Sequence, residues 1–324
     1  MARVARIEQH GGPEVIRWVD VDLPDPGPGE VRIRSTAVGI NFIEIYQRTG
    51  LYPLKLPSGL GGESVGVIEA VGPGVTGFAA GDRVGTFGPA IGSYASHRNL
   101  PAEQLIKLPD DVDDQTAAAV LLKGGTTEFL IERCARVQPG WTVLVHAAAG
   151  GVGQLAVGWL KHIGATVIGT VGSADKAERA KRAGADHVIQ YKEHDIAETV
   201  RELTGGKGVD VSLDGVGAST WEASLKSVRP RGMIVSYGNA SGPVTGVNLG
   251  LLAQKGSLFV TRPTMFHYYA TAEDRAAGFA RVFAMLRAGA IKPEIGQVFA
   301  LEDAAEAHRQ LEAGKTEGAS VLLP

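Results

Sequence analysis

The sequence predicts an α/β protein in two parts: a β-rich N-terminal domain, then a doubly wound parallel sheet. Three observations carry that expectation. Up to about residue 124 the chain reads as short strand-like runs divided by turn residues. From residue 141 short apolar strands alternate with helical stretches over brief connections, the pattern of right-handed βαβ units. Glycine supplies 44 of 324 residues, about 14% where about 7% is ordinary, and several fall where a strand passes into a helix.

The first part is defined by its punctuation. Pro24-Asp25-Pro26-Gly27-Pro28-Gly29 is a turn-rich break, and Val31-Arg32-Ile33-Arg34 after it alternates apolar and charged residues as a half-buried strand does. Gly66–Gly72 is a second strand and Gly81-Asp82-Arg83-Val84 opens a third, so a folded-over sheet or barrel is expected. In the second part, strand Thr142–Ala147 precedes a helix from about Val152 to Ile163. Strand Thr166–Thr170, helix Asp175–Ala183, strand His187–Ile189 and helix Ile196–Leu203 come next. Strand Val209–Leu213, helix Ser219–Val228 and strand Gly232–Tyr237 continue the alternation. The tail, with helical Glu273–Arg287 and Ala304–Glu312 and a last strand Ser320–Leu323, leaves this rhythm and is expected to return in part to the first domain. The expected division is 1–124 with 266–324, and 125–265.

Composition excludes several classes. One cysteine, Cys134, can form neither an internal disulfide nor a four-cysteine zinc site. A net charge of −3, without a run of Lys or Arg, argues against a nucleic-acid or membrane-surface footprint. The start, Met1-Ala2-Arg3-Val4-Ala5-Arg6, turns polar at once. No uncharged apolar run approaches the roughly 18 residues of a membrane span, so the cytoplasm is the expected address.

Between the first strand and helix of the second part lies Ala147-Ala148-Ala149-Gly150-Gly151-Val152-Gly153. Small residues at such a turn let backbone approach a pyrophosphate, and the helix N-terminus supplies N–H groups and partial positive charge. Ala148 stands where the first glycine of G-x-G-x-x-G would be, but the strand before, the helix after and the continuing βαβ pattern supply the context this Rossmann motif demands. Gly150, Gly151, Val152 and Gly153 are therefore expected to bind a dinucleotide. NAD-binding folds place Asp or Glu at the end of the second strand to hold the ribose 2′-OH. Here Thr170-Val171-Gly172-Ser173 stands there, with no carboxylate before Asp175, which removes repulsion against a 2′-phosphate. Ser173 and Lys176 could donate to that phosphate, and Tyr191 or Lys192 could reach it, so NADPH is the expected cofactor. Lys123, ahead of Gly124-Gly125-Thr126-Thr127, lies at the expected domain junction. There Lys123 and Thr127 are expected to hold cofactor phosphate or ribose; the other reading of Lys123 is a helix-end lysine.

Asn41-Phe42-Ile43-Glu44, Ser58-Gly59-Leu60-Gly61-Gly62-Glu63, the Ala147–Gly153 turn, and Val244-Thr245-Gly246-Val247-Asn248 with Lys255-Gly256-Ser257 resemble the bacterial quinone oxidoreductases. These are zinc-free members of the medium-chain dehydrogenase/reductase superfamily, related to ζ-crystallin, and the similarity runs from Ala2 to Pro324. The resemblance implies a GroES-like catalytic domain beside the Rossmann domain, NADPH as donor, and a homodimer. It also implies that Asn41, Lys123, Lys176, Tyr191, Tyr237 and Asn239 line the cofactor site. One departure lies near the C-terminus, where the family often has an arginine on the 2′-phosphate and this chain has Gly314-Lys315.

In zinc-dependent relatives a Gly-His-Glu motif supplies a histidine ligand; here the stretch is Gly61-Gly62-Glu63. The upstream ligand cysteine falls in Gly39–Ile43, which offers only Asn41 as a polar side chain, and Cys134 lies far from both. Catalytic zinc takes three protein ligands, so no metal site is expected. Reduction of an electron-poor quinone or conjugated carbonyl, held between the two domains, asks less than alcohol oxidation: hydrogen-bond donors stabilise charge developing on oxygen. Asn41, Tyr46 and Tyr52 are the candidate catalytic residues, the tyrosines offering a flat face and an O–H. Tyr46 reads equally as a core aromatic on a helix from Phe42 to Arg48. An NADPH-dependent reductase of enones or alkenals remains open beside the quinone reductase, as does a non-catalytic NADPH- or RNA-binding protein. Gly256-Ser257-Leu258-Phe259-Val260-Thr261 reads as the last strand of the parallel sheet, an edge whose pairing with its copy would make a dimer.

Overall fold

A computed structural model describes all 324 residues, Met1–Pro324, and divides them into two compact units. The first comprises Met1–Leu122, Thr271–Ala276 and Pro293–Pro324; the second comprises Lys123–Ala270 and Ala277–Lys292.

The first unit is built on a seven-stranded sheet. Ile295–Ala300, Ala319–Leu323, Glu30–Ile40, Glu63–Val71, Arg83–Phe87 and Leu105–Lys107 lie side by side, and His97–Pro101 pairs with Glu30–Ile40. Pairing is antiparallel except between Ile295–Ala300 and Ala319–Leu323. The alternation read at residues 31–34 holds: Val31 and Ile33 are fully buried, packed with Ile68, Val84 and Leu100. A separate antiparallel pair, Ala2–Arg6 with Arg17–Val21, carries Ala5 into a second core with Val38, Leu60, Tyr94 and Leu322.

The second unit is a six-stranded parallel sheet. Its order is His187–Gln190, Thr166–Val171, Thr142–Val145, Val209–Asp214, Val228–Ser236 and Phe259–Thr261. Counting strands along the chain, this is the 3-2-1-4-5-6 order of a Rossmann sheet. Its strands read as apolar runs rather than alternations because helices cover both faces, and Val143, Leu144, Val145, Val167, Ile168 and Val211 are all buried. Phe259–Thr261 is an edge, with Phe259 59% exposed. No helix is long and apolar enough to cross a membrane.

The division departs from the sequence expectation at the C-terminal side. Residues 266–324 do not all join the first unit: residues 266–270 and Ala277–Lys292 group with the second. The helix Ala272–Arg287 is continuous, but its two ends make different contacts. Arg275 donates to the Glu103 carbonyl at 2.9 Å within the first unit. Phe279 packs on Tyr269 at 5.7 Å between ring centroids, and Arg281 pairs with Glu132 at 2.8 Å while lying over Trp159. Glu103, Glu132 and Trp159, each over 100 residues from their partners on this helix, leave no trace in local periodicity. The first boundary lies at 122/123 rather than 124/125, inside the helix Asp114–Glu128.

Candidate functional site

In the second unit, the strand Thr142–Val145 ends at His146, and Ala147 turns the chain with a left-handed φ of 51°. Gly150 N–H donates to the Ala147 carbonyl at 2.9 Å, closing the turn, and the helix Gly151–His162 begins at once. The first N–H groups of a helix have no intrahelical partner, and Gly150 at the N-cap has no side chain to cap them. Gly153 is required by close approach: a Cβ there would overlap the Ala147 carbonyl oxygen and lie 2.8 Å from Ala148 Cα. The turn of Gly150, Gly151, Val152 and Gly153 thus has a backbone shape that fits a pyrophosphate.

The second strand, Thr166–Val171, delivers Gly172 and then Ser173, which stands at the extended N-cap of the helix Ala174–Arg182. Lys176 is in the first turn and half-buried. Tyr191 N–H donates to the Val171 carbonyl at 3.1 Å, which lays its ring beside the strand end. A Cβ on Gly172 would come within 2.6 Å of the Tyr191 hydroxyl oxygen, so this glycine admits the ring. Ser173, Lys176 and Tyr191 are thus gathered at the strand end without a carboxylate between Val171 and Ala174. Lys192 is exposed next to Tyr191.

Lys123 lies inside the helix Asp114–Glu128 and is only 6% exposed, rather than a solvated residue at a helix end. Thr127, one turn on and buried, donates its hydroxyl to the Lys123 carbonyl at 2.9 Å. Tyr237 follows the strand Val228–Ser236, held by its N–H on the Asp214 carbonyl at 2.8 Å, with Asn239 two residues on.

In the first unit, Asn41 is the extended N-cap of the helix Phe42–Thr49. Its N–H donates to Glu44 Oε2 at 2.5 Å, and Glu44 Oε1 accepts from Gly62 N–H at 3.3 Å. Asn41 Nδ2 donates to Glu63 Oε2 at 2.9 Å, and Glu63 Oε1 accepts from Leu122 N–H at 2.7 Å. Two fully buried carboxylates are thereby used to fix the loop in which the sequence places the remnants of a metal motif. No three His, Cys, Asp or Glu side chains are grouped as a metal would require. Tyr46 is 8% exposed and lies between Phe42 and Tyr52, at ring separations of 6.1 and 5.1 Å. Tyr52, half-buried after the left-handed Gly50, is the more accessible of the two.

Two buried clusters escaped the sequence reading. Arg48, 1% exposed on the helix of Tyr46, donates to the Gly11 carbonyl, to His308 Nδ1 at 3.1 Å and to Glu312 at 2.6 Å. His308 Nε2 in turn meets the Tyr94 hydroxyl at 2.9 Å, and burial with the nearby Arg48 charge pushes the imidazole pKa down to about 3. The second cluster, around His146 and Asp214, lies beneath the glycine turn. The one signal, for the second cluster alone, was a polar residue ending an apolar strand, since a buried polar group needs a partner. Lys315 follows the helix Ala304–Glu312 and acts electrostatically on Glu306.

Residues 27–110 match the model of the alcohol dehydrogenase GroES-like domain, and residues 151–278 match that of the zinc-binding dehydrogenases. A quinone oxidoreductase of Pseudomonas aeruginosa is 50% identical over the whole of both chains. A 2-haloacrylate reductase of Burkholderia is 44% identical, covering all of this chain and 99% of its own. The crystal structure of Escherichia coli quinone oxidoreductase complexed with NADPH superimposes with a TM-score of 0.97 at 45% identity, again over all of both chains. Full-length identity at this level, with both domain models placed where the two units lie, shows that the chain belongs to the quinone oxidoreductases of the medium-chain dehydrogenase/reductase superfamily.

Proposed function

We propose that this protein uses NADPH to reduce quinones. The observation that carries the reading is the pair of loops in the second unit: a glycine turn shaped for pyrophosphate, and a carboxylate-free strand end bearing Ser173, Lys176 and Tyr191 for a 2′-phosphate. Bound NADPH supplies the hydride. The chain's own residues bind and orient. First-turn N–H groups of the helix Gly151–His162 receive the pyrophosphate. Lys123, Thr127, Tyr237 and Asn239 line the rest of the cofactor site, and Asn41 is assigned to cofactor binding by the resemblance. Tyr52 offers a ring face to a planar acceptor and an O–H to its oxygen, while the Tyr46 ring packs against it at a tilt of 59°.

A second reading, reduction of a conjugated double bond, is favoured by the relative named as a 2-haloacrylate reductase. Initial rates of NADPH oxidation with 1,4-benzoquinone and with an α,β-unsaturated aldehyde separate the two. Faster turnover of the quinone supports the proposal, and turnover of the enal alone replaces it. The protein acts as a homodimer in the cytoplasm, pairing the edge Phe259–Thr261 with its copy, a reading supported by the exposed Phe259 and Val260 on that strand. Sedimentation as a monomer at micromolar concentration overturns the dimer.

A further inference from the structure

We propose that His146 is a positioning residue for NADPH, holding the pyrophosphate turn and the 2′-phosphate loop in one register through a directed hydrogen-bond chain from Thr170 to Asp214. The proposal rests on the pyrophosphate lying at the Ala147–Gly153 turn.

The direction of every bond follows from elementary donor counting. Asp214 is buried, and its carboxylate accepts from Val216 N–H at 2.9 Å, Gly217 N–H at 3.0 Å, the Thr220 hydroxyl at 2.8 Å and the Ser224 hydroxyl at 2.9 Å. Ser224 has one hydroxyl proton, and it is committed to Asp214, because a carboxylate only accepts. Ser224 Oγ is therefore the acceptor in its 3.0 Å contact with His146 Nε2, so Nε2 carries the ring proton. Burial disfavours the charged imidazole, which leaves Nδ1 without a proton. Nδ1 then accepts the Thr170 hydroxyl at 3.1 Å. Ser212 Oγ, 3.1 Å from Ser224 Oγ, completes the buried set.

Each end of this chain is fastened to a cofactor loop. Thr170 lies in the strand that leads to Gly172 and Ser173, and its carbonyl accepts Ala148 N–H of the glycine turn at 3.1 Å. His146 is covalently next to Ala147, whose left-handed backbone is costly for a residue with a side chain and persists only where neighbours over-determine it. Asp214 fixes the 216–217 turn, and its carbonyl holds Tyr237 N–H. His146 thus links three adjacent strand ends, the edge along which a dinucleotide lies in this fold.

Thr170→Val tests the chain with a near-isosteric change that removes only the donor to His146, and Ser224→Ala removes the link to Asp214. NADPH dissociation constants are measured by nucleotide fluorescence, with the thermal midpoint and kcat at saturating NADPH alongside. Both variants are expected to weaken NADPH roughly three- to tenfold, with kcat within about twofold of wild type. In the Thr170→Val/His146→Gln pair, the two losses are expected to be non-additive, since both cut the same bond. NADPH affinity within about twofold of wild type in both folded single variants overturns the proposal, as does a fall in kcat at unchanged affinity. Gly150→Asp, which places a carboxylate in the turn, tests the foundation separately. Affinity lost in Gly150→Asp but kept in both Thr170→Val and Ser224→Ala rejects only the role of His146; affinity kept in Gly150→Asp rejects the placement of the pyrophosphate.

Discussion

Replacing Gly153 by alanine puts one methyl group into the tightest backbone contact of the cofactor turn. The new Cβ would lie 2.8 Å from Ala148 Cα and 2.9 Å from Ala148 C, and would overlap the Ala147 carbonyl oxygen. Carbon atoms rest at about 3.5 Å or more, so the carbon contacts alone make the helix Gly151–His162 retreat from the turn by at least about 0.7 Å, and the overlap with the Ala147 oxygen demands more. Every obstructing atom is backbone, so no rotamer change relieves the clash. Overpacking of this kind costs about 1–3 kcal/mol, a fall of about 2–10 °C in the thermal midpoint for a unit of this size. The retreat also moves the first-turn N–H groups off the pyrophosphate. Loss of one charge-assisted hydrogen bond, about 2 kcal/mol, raises the NADPH dissociation constant roughly thirtyfold. Gly150→Ala is the contrast, since its Cβ meets only the Ala147 oxygen at 3.2 Å and its φ of −78° suits any residue. Fluorescence titration and thermal unfolding of both variants measure the difference. A Gly153→Ala protein that binds NADPH within about twofold of wild type would show that the turn tolerates a Cβ at this position.

Three further outcomes are expected. Tyr52→Phe lowers kcat/KM on benzoquinones roughly tenfold with little change in NADPH affinity, and an unchanged kcat/KM removes Tyr52 from any donor role. Ser173→Asp, at an N-cap where aspartate is welcome, leaves stability intact and weakens NADPH about tenfold relative to NADH through repulsion of the 2′-phosphate; equal affinities contradict that placement. His308, neutral in the folded protein with a pKa of about 3 against 6.5 unfolded, makes unfolding take up a proton below about pH 6.5. Its contribution to stability is present above that pH and is lost as pH falls, by about 2 kcal/mol at about pH 5. The urea midpoint of His308→Gln should therefore drop less than that of wild type between about pH 7.5 and 5.

The parallel sheet was legible because its strands are short apolar runs that helices cover on both faces, and the strand Thr142–Val145 runs directly into a glycine turn and helix. The missing carboxylate between Val171 and Ala174 was equally local, a matter of reading four residues. What escaped notice depends on contacts far apart in sequence. Arg48 meets His308 across 260 positions, and His146 finds its partners 24 and 78 residues away, so no window of sequence contains either cluster. Ala272–Arg287 has an ordinary helical pattern throughout, and only the contacts of Phe279 and Arg281 assign its latter part to the nucleotide-binding unit. Tyr46 shows the limit at a single residue: helical spacing could not distinguish a core ring from an acceptor platform, and the structure places it largely buried, tilted against Tyr52.

The central claim is that the turn at Gly150–Gly153 and the strand end at Ser173, Lys176 and Tyr191 together select NADPH for reduction of an electron-poor acceptor. Initial rates with 1,4-benzoquinone, NADPH against NADH, test it most directly. The account predicts a kcat/KM for NADPH at least about tenfold higher than for NADH, carried by KM. Equal efficiency, or a preference for NADH, would contradict it.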